Sequence, residues 1–328
     1  MNYFLRRYNK LFILITLTLI FVQGCYINSI KSMVLPTTEL ATTECKIIKH
    51  TLGESCIPFK PQRIVTLDEN IMEALLALDL KPIATTQPNI AGSIIPKLGN
   101  KAEGIVSLGK ESQPNIEKII QLKPDLILGF FIGAEKYKLF SQIAPTIQLD
   151  YIQADWKNSL LKIGEITDRS EKVQELLEQY QQRIQNLRAF INKKLKRMTV
   201  SISRFYAGNQ VTEFRTKYSF PGSLLTEVGI SMPEMQKQLT TNENQPLVSV
   251  SLEQLKLLDA DILFVALDPG AETSFQKYQN SQLWQQLNVV KNNQVYTVDS
   301  GYWIFGNILS ATAILEDLLK YLTNNLNN

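Results

Sequence analysis

Arginine and aromatic residues cluster near predicted strand ends in the C-terminal third of the chain, where they could bind an anionic organic ligand. A guanidinium donates charge-assisted hydrogen bonds to anionic oxygens, and aromatic rings pack against an organic shell. Loops at the carboxyl ends of strands are where open α/β sheets bind ligands. Surface positions for the arginines, and packing of Trp303 under the last helix, are the alternatives. The candidates are Arg204, Arg215, Tyr218, Tyr302 and Trp303.

The residues that most catalysis and metal capture require are scarce. The chain has 328 residues, but only one histidine and three cysteines. The sequence contains no Ser-His-Asp order, no Gly-rich phosphate loop and no cluster of metal-ligating residues. An enzyme is therefore disfavoured, and we expect neither a cofactor nor a zinc cage.

The charge balance argues against nucleic acid as a partner. Thirty-four basic and thirty-one acidic residues give a formal net charge of +3. Arg6, Arg7 and Lys10 lie in the first ten residues, which contain no acid, and without them basic and acidic residues are equal in number. A neutral body lacks the basic face that phosphate-backbone binding needs. With 45% apolar residues, the chain can bury one large core or two ordinary ones.

The amino terminus has the features of an export signal. Basic residues precede an apolar run from Leu11 to Val22 that is short for a bilayer span. Val22-Gln23-Gly24-Cys25 resembles the lipobox of bacterial lipoproteins, in which cleavage precedes a lipid-modified cysteine. We expect a signal peptide over 1–24, a lipid anchor on Cys25, a flexible tether over 25–44 and a folded part on the periplasmic face of the cell membrane. A short membrane anchor kept in the mature chain is the alternative.

Export also bears on the two remaining cysteines. Cys45 and Cys56 form an even pair in an oxidising compartment, and they flank a predicted strand and turn. A disulfide between them would close a short loop and contribute about 3 kcal/mol on the chain-entropy model. Two free buried thiols are the alternative. His50 lies inside this hairpin, where a structural or solvent-facing role is expected.

Short strands alternate with helices on either side of a long helical stretch. The alternation predicts an α/β class with parallel strands and crossover helices, in an N-terminal lobe over 45–155 and a C-terminal lobe over 197–328. Over 156–196 we expect two helical segments, the second running from Asp168 or Ser170 to about Lys196. Its length and single apolar face favour a rigid connector. Ser107 to Gly109 is interpreted as a turn, and 204–222 as turn-rich.

The order of these segments resembles the periplasmic substrate-binding proteins of iron-siderophore ABC importers, a group that includes vitamin B12 and haem receptors. The resemblance covers residues 45 to 322 and rests on six segments taken together. They are Pro61-Gln62-Arg63-Ile64-Val65-Thr66-Leu67, Gln113-Pro114-Asn115-Ile116-Glu117, Lys123-Pro124-Asp125-Leu126-Ile127, Ile143-Ala144-Pro145-Thr146, Leu255 to Leu263 and Glu316-Asp317-Leu318-Leu319.

The resemblance implies a fold and a function. The fold is that of class III periplasmic binding proteins, with two α/β lobes joined by one long rigid helix and the ligand in the cleft between them. The implied function is capture of a ferric siderophore of hydroxamate or citrate type, and its delivery to an ABC permease and its ATPase by a monomeric receptor. Vitamin B12 or haem is the alternative ligand, with Tyr206, Tyr218 or Tyr302 as a haem ligand. A structural or adhesive lipoprotein is a further alternative.

The resemblance also assigns roles to acidic and polar residues. A receptor for free zinc or manganese would carry several histidines to bind the metal. Because this chain has only one histidine, these metal ions are disfavoured as ligands. The loops of the first lobe that would face the ligand contain Glu69 and Gln113. In this family an acid on each lobe pairs with arginines of the permease. Glu73 matches the first such position, whereas in the second segment the acid is missing from its usual place and Glu227 would substitute.

Overall fold

A computed structural model describes residues 45–194, 198–208 and 211–324. The predicted signal peptide, the lipidation site Cys25 and the tether lie outside the described residues. The described chain begins with an antiparallel hairpin of β1 (Cys45–His50) and β2 (Gly53–Pro58). A disulfide joins Cys45 to Cys56 across this hairpin, which confirms the predicted pairing.

The N-terminal lobe is built on a parallel five-stranded sheet with strand order β5-β4-β3-β6-β7. Its strands are β3 (Ile64–Thr66), β4 (Ala84–Gln87), β5 (Val106–Lys110), β6 (Leu126–Gly129) and β7 (Thr146–Gln148). Its helices are α1 (Glu69–Ala77), α2 (Ile95–Leu98), α3 (Ile116–Leu122) and α4 (Ala134–Phe140), and a short 3₁₀ helix spans Gly99–Ala102.

Local sequence explains several of these elements. All four residues of β6 are buried, as expected for a central parallel strand covered on both faces. Asp68 caps α1 by accepting a hydrogen bond from the backbone N–H of Asn70. Lys123 ends α3 in the left-handed conformation. The interpretation of Ser107 to Gly109 as a turn is wrong, because these residues belong to β5.

Two helices follow the first sheet, as predicted. They are α5 (Trp156–Ile166) and the 25-residue α6 (Ser170–Lys194). Tyr180, Ile184, Leu187 and Ile191 are buried and recur every three or four residues, as expected for the single apolar face predicted for this helix. The predicted end near Lys196 lies outside the described residues, and the predicted limits of the lobes stay a prediction.

The C-terminal lobe contains a second five-stranded sheet with strand order β10-β9-β8-β11-β12. Its strands are β8 (Val200–Phe205), β9 (Thr212–Arg215), β10 (Leu247–Val250), β11 (Ile262–Leu267) and β12 (Val295–Asp299). Its helices are α7 (Phe220–Glu227), α8 (Glu234–Leu239), α9 (Glu272–Gln279), α10 (Gln282–Gln285), α11 (Asn288–Lys291), α12 (Ser300–Trp303) and α13 (Ile308–Asn324), and a 3₁₀ helix spans Leu252–Leu258.

This second sheet is mixed, which the sequence did not predict. β8, β11 and β12 are parallel, whereas β9 is antiparallel to both β8 and β10. The prediction that 204–222 is turn-rich missed β9, and β10 was missed as well. Ser251 caps the 3₁₀ helix Leu252–Leu258 through a capping box with Gln254.

One apolar core runs through both lobes. It joins α1 of the first lobe to α5, α6 and the C-terminal helix α13, and includes Leu75, Trp156, Tyr180 and Ile314. A smaller apolar cluster lies in each lobe. In the part of the chain that the structure describes, we find no helix with the length and apolar character needed to cross a membrane.

Candidate functional site

A cavity of about 300 Å³ lies between the lobes, at the carboxyl ends of strands from both sheets. In the first lobe, every strand of the sheet is followed by a lining residue. These are Asp68 after β3, Ile90 after β4, Glu111 after β5, Phe131 after β6 and Tyr151 after β7. Because parallel strands present their carboxyl ends at one edge, residues distant in sequence converge here.

The second lobe closes the other side of the cavity. Arg204 lies near the end of β8, Ser300 and Gly301 follow β12, and Phe305 lies between α12 and α13. Gln153 completes the lining between the lobes. Arg204 and Glu69 therefore lie at the cavity, where both were predicted to contact a ligand.

Arg204 is held in place by a buried carboxylate and by two rings. Its Nε lies 3.0 and 3.1 Å from the two carboxylate oxygens of Asp268, and its Nη2 lies 3.0 Å from Oδ2. The guanidinium also lies over the rings of Tyr206 and Phe305, at 4.6 and 5.7 Å. Asp268 therefore matches the charge of Arg204 and fixes its direction.

Arg215 lies behind the lining rather than in it. Only 2% of this residue is exposed. Its Nη1 contacts Glu213 at 2.7 Å and its Nη2 donates to Gln153 at 2.6 Å. Arg215 thus positions the lining residue Gln153 and carries its own carboxylate partner. Tyr206 also donates to Glu213, and burial, together with this contact, raises the pKa of Tyr206.

Three carboxyl groups of the first lobe line the cavity. The carboxylate of Glu69 accepts from Oγ of Ser93 at 2.8 Å and from the N–H of Ile94 at 3.0 Å. Burial raises the pKa of Glu69, and it raises the pKa of Asp68 to about 7. Burial and the charges of Asp68 and Glu69 raise the pKa of Glu111 to about 8. Asp68 and Glu111 are therefore partly protonated near neutral pH.

Two aromatic residues lie together on the first-lobe side. Phe131 is 78% exposed and has a φ of +43°, a left-handed conformation that is strained for a bulky residue. Its ring lies edge-on to that of Tyr151, with 6.5 Å between centroids. Backbone strain of this kind concentrates at ligand-binding sites. Phe131 is not among the ligand-binding residues predicted from the sequence.

Several predicted ligand-binding residues do not line the cavity. The hydroxyl of Tyr302 and the indole N–H of Trp303 both donate to Oδ2 of Asp317, at 2.8 and 2.9 Å. Trp303 is completely buried, so the alternative of packing under the last helix is the one observed. Gln113 is exposed and Tyr218 is partly buried, and neither is among the lining residues.

The predicted docking acids have contrasting surroundings. Glu73 is completely buried and accepts hydrogen bonds from the backbone N–H groups of Asn307 and Ser310, at 2.8 and 2.7 Å. A buried carboxylate cannot reach a partner protein, so the docking prediction for Glu73 is wrong for this structure. Glu227 remains partly exposed and pairs with Lys157 at 2.7 Å.

The lining suits a chelated ligand better than a bare ion. Among the described residues, no group of three or more His, Cys, Asp or Glu side chains could hold a metal ion. The cavity instead offers a buried guanidinium, amide and hydroxyl groups and exposed aromatic surface. Pockets of this kind orient an organic ligand with a few polar groups and bind the remainder by apolar contact.

The chain is similar to known binding proteins over most of its length. It is 31% identical over 296 residues to the "Probable siderophore-binding lipoprotein YfiY" of Bacillus subtilis, covering 87% of this chain and 90% of that protein. It is 31% identical over 265 residues to the "Fe(3+) dicitrate-binding periplasmic protein FecB" of Escherichia coli, covering 79% and 84%.

The chain is also similar to a solved structure of a binding protein. SirA of Staphylococcus aureus, crystallised with staphyloferrin B, superposes with a TM-score of 0.72 at 26% identity, covering 85% of this chain and 98% of SirA. The family profile described as "Periplasmic binding protein" matches residues 64–302. Since that match spans well over half of the sequence, this chain belongs to the periplasmic binding protein family.

Proposed function

We propose that this chain is the substrate-binding component of an ABC importer, which captures a ferric siderophore of hydroxamate or citrate type and delivers it to the membrane permease. The observation that carries the proposal is the cavity between the sheets, in which Arg204 and Phe305 face Phe131 and Tyr151. A siderophore supplies the oxygen ligands of iron itself, so its receptor needs polar contacts for those oxygens and aromatic contacts for the organic shell.

The named ligands of similar proteins support the same class. YfiY is named for a siderophore and FecB for ferric dicitrate, and SirA was crystallised with staphyloferrin B. We also propose that the ferric complex is cargo and that the protein carries out no reaction on it. Lipid attachment at Cys25 would keep the receptor at the membrane beside its permease, and Glu227 remains the candidate docking acid.

Quenching of tryptophan fluorescence tests this function. The purified chain is titrated with ferric hydroxamates, ferric citrate, haem and cobalamin, and each iron-free chelator serves as the control. We expect saturable quenching by at least one ferric hydroxamate or by ferric citrate, with weaker binding of the iron-free form. Saturation by haem or cobalamin alone, or by none of these compounds, would contradict the proposal.

A further inference from the structure

The charged groups that line the cavity are divided unevenly between the lobes. Among the described residues, the first lobe contributes the carboxyl groups of Asp68, Glu69 and Glu111, whereas the second contributes one cation, Arg204. A complementary positive potential is what lets a site select an anionic ligand over neutral and cationic ones. The lining has the opposite balance.

Both arginines near the cavity already have a carboxylate partner. Arg204 contacts both oxygens of Asp268, and Arg215 contacts Glu213 at 2.7 Å. All four side chains are almost completely buried, so water and salt screen these contacts little. Each pair is neutral as a unit. Neither arginine therefore brings unmatched positive charge to a ligand.

Two lysines lie near the carboxyl groups but outside the lining. Nζ of Lys110 donates to the carbonyl of Pro88 at 2.7 Å, and Nζ of Lys136 donates to the carbonyl of Ser112 at 2.8 Å. Both lysines are exposed, so solvent and salt weaken their effect on a ligand inside the cavity. They offset part of the negative charge without reversing it.

The lining has no excess positive charge, whether its carboxyl groups are protonated or ionised. When Asp68, Glu69 and Glu111 all carry protons, the lining is close to neutral, because Asp268 matches Arg204. When they are ionised, the lining is negative. For Asp68 and Glu111, pKa values of about 7 and about 8 place this change at or just above neutral pH.

We propose that the cavity selects ferric chelates of zero or positive net charge. Among siderophores, the trihydroxamates form such complexes. Each hydroxamate carries one negative charge, so three of them neutralise ferric iron, whereas citrate and catecholate complexes are anionic. The selective groups are the carboxyls of Asp68, Glu69 and Glu111. This inference rests on the proposed function and narrows its ligand.

The apolar rim of the cavity agrees with this ligand class. Ile90 and Phe131 both line the cavity and are 61% and 78% exposed. An uncharged chelate loses less hydration on binding than an anionic one, and its organic backbone can cover such side chains. The rim and the carboxyl groups thus favour the same ligand.

A titration with three ferric chelates of different charge tests the inference. The probes are neutral ferrichrome, cationic ferrioxamine B and anionic ferric citrate, each added to the full chain at about pH 6 and about pH 9. We expect both trihydroxamates to bind at least about tenfold more tightly than ferric citrate. The preference for the cationic chelate over ferric citrate should increase at the higher pH, where the carboxyl groups are ionised.

Two matched variants assign the effect to the cavity. Glu111→Gln removes one lining charge, whereas Glu117→Gln removes an exposed charge from the first turn of α3. At the higher pH, Glu111→Gln should reduce the preference for the cationic chelate by about threefold or more, and Glu117→Gln should leave it unchanged. Unchanged melting temperatures would establish that both variants are folded.

The outcomes separate this inference from the proposed function. If ferric citrate binds as tightly as the trihydroxamates, or if Glu111→Gln and Glu117→Gln behave alike, the charge selection is wrong and the siderophore function stands. If none of the ferric chelates binds saturably, both proposals are wrong.

Discussion

Glu69 and Glu73 lie one turn apart on α1, yet they belong to two different regions between the lobes. Glu69 lines the cavity, and its partners Ser93 and Ile94 belong to its own lobe. Glu73 is buried, and its partners Asn307 and Ser310 lie at the start of α13 in the other lobe. One helix face thus supplies both the cavity and the contact that joins the lobes.

The contact around Glu73, here called the interlobe clasp, is a set of hydrogen bonds close to one another between the lobes. The clasp consists of Glu73, Tyr151, Ser159, Gly306, Asn307 and Ser310. Its hydrogen bonds join Glu73 to Asn307 and Ser310, Asn307 to Ser159, and Tyr151 to Gly306. Buried polar groups that are satisfied in this way hold a single arrangement.

The clasp and the cavity differ in what provides the hydrogen-bond partners of their polar groups. In the clasp the protein itself provides the partners, so the lobes are held together beside the long helix α6. At the cavity the groups are held in position but remain accessible to a ligand. We therefore expect small relative motion of the lobes on binding, and affinity determined by the lining.

The largest expected effect comes from Arg204→Ala. This change leaves the carboxylate of Asp268, only 1% of which is exposed, without its cation. Removing one partner of a buried ion pair costs about 3–5 kcal/mol. Chemical denaturation should therefore show a loss of this size, which would make Arg204 a stabilising residue as well as a lining residue.

An exposed pair provides the control for Arg204. Arg183 lies 3.4 Å from Glu316, and more than half of each side chain is exposed. Arg183→Ala should therefore change the free energy of unfolding by less than about 1 kcal/mol. Equal losses in the two variants would mean that burial does not set the strength of the Arg204 pair.

The strand ends explain why part of the site could be predicted from the sequence. Arg204 and Glu69 each lie near the carboxyl end of a strand with a strong apolar pattern, so the fold alone brings them to the cavity. The missed strand β9 has the sequence Thr-Glu-Phe-Arg, in which the charged residues pair with each other inside the lobe. A strand with buried charges gives no apolar pattern to detect.

Other residues depend on long-range contacts that a sequence does not display. Tyr302 and Trp303 follow β12, as predicted, but the short helix α12 directs both toward Asp317 on α13. Glu73 was assigned from a family position, whereas its burial follows from the approach of α13. Phe131 was missed because nothing in the sequence around it indicates a left-handed φ.

The second effect comes from breaking the clasp with Glu73→Ala. The change leaves the buried N–H groups of Asn307 and Ser310 without an acceptor, and an unsatisfied buried group costs about 1–3 kcal/mol. We expect a loss of about 3 kcal/mol in the free energy of unfolding. Affinity for the ferric chelate should change little, because Glu73 does not line the cavity.

Glu73→Gln tests the role of charge in the clasp. Its amide oxygen can still accept from both N–H groups, so the loss should be below about 1 kcal/mol. Burial raises the pKa of Glu73 from 4.5 to about 7, so the folded state keeps a proton that the unfolded state releases. The stability from this group is complete below pH 4.5 and declines as the pH rises to about 7. A constant difference between wild type and Glu73→Gln over this range would contradict the assignment.

The smallest expected effect comes from replacing Phe131 at the rim of the cavity, where the substitutions should affect stability and ligand affinity differently. Phe131→Ala and Phe131→Gly both remove the ring, but only glycine adopts a φ of +43° without strain. The left-handed conformation costs alanine about 1–2 kcal/mol, which exceeds the stability that glycine loses by adding entropy to the unfolded chain. The glycine variant should therefore be the more stable by about 0.5–1 kcal/mol.

Phe59, which is 53% exposed and has no positive φ, provides the control, since there glycine should be the less stable replacement. Both Phe131 variants should bind the ferric chelate more weakly than wild type, and an unchanged affinity would mean that the strained conformation at the rim has no part in ligand binding.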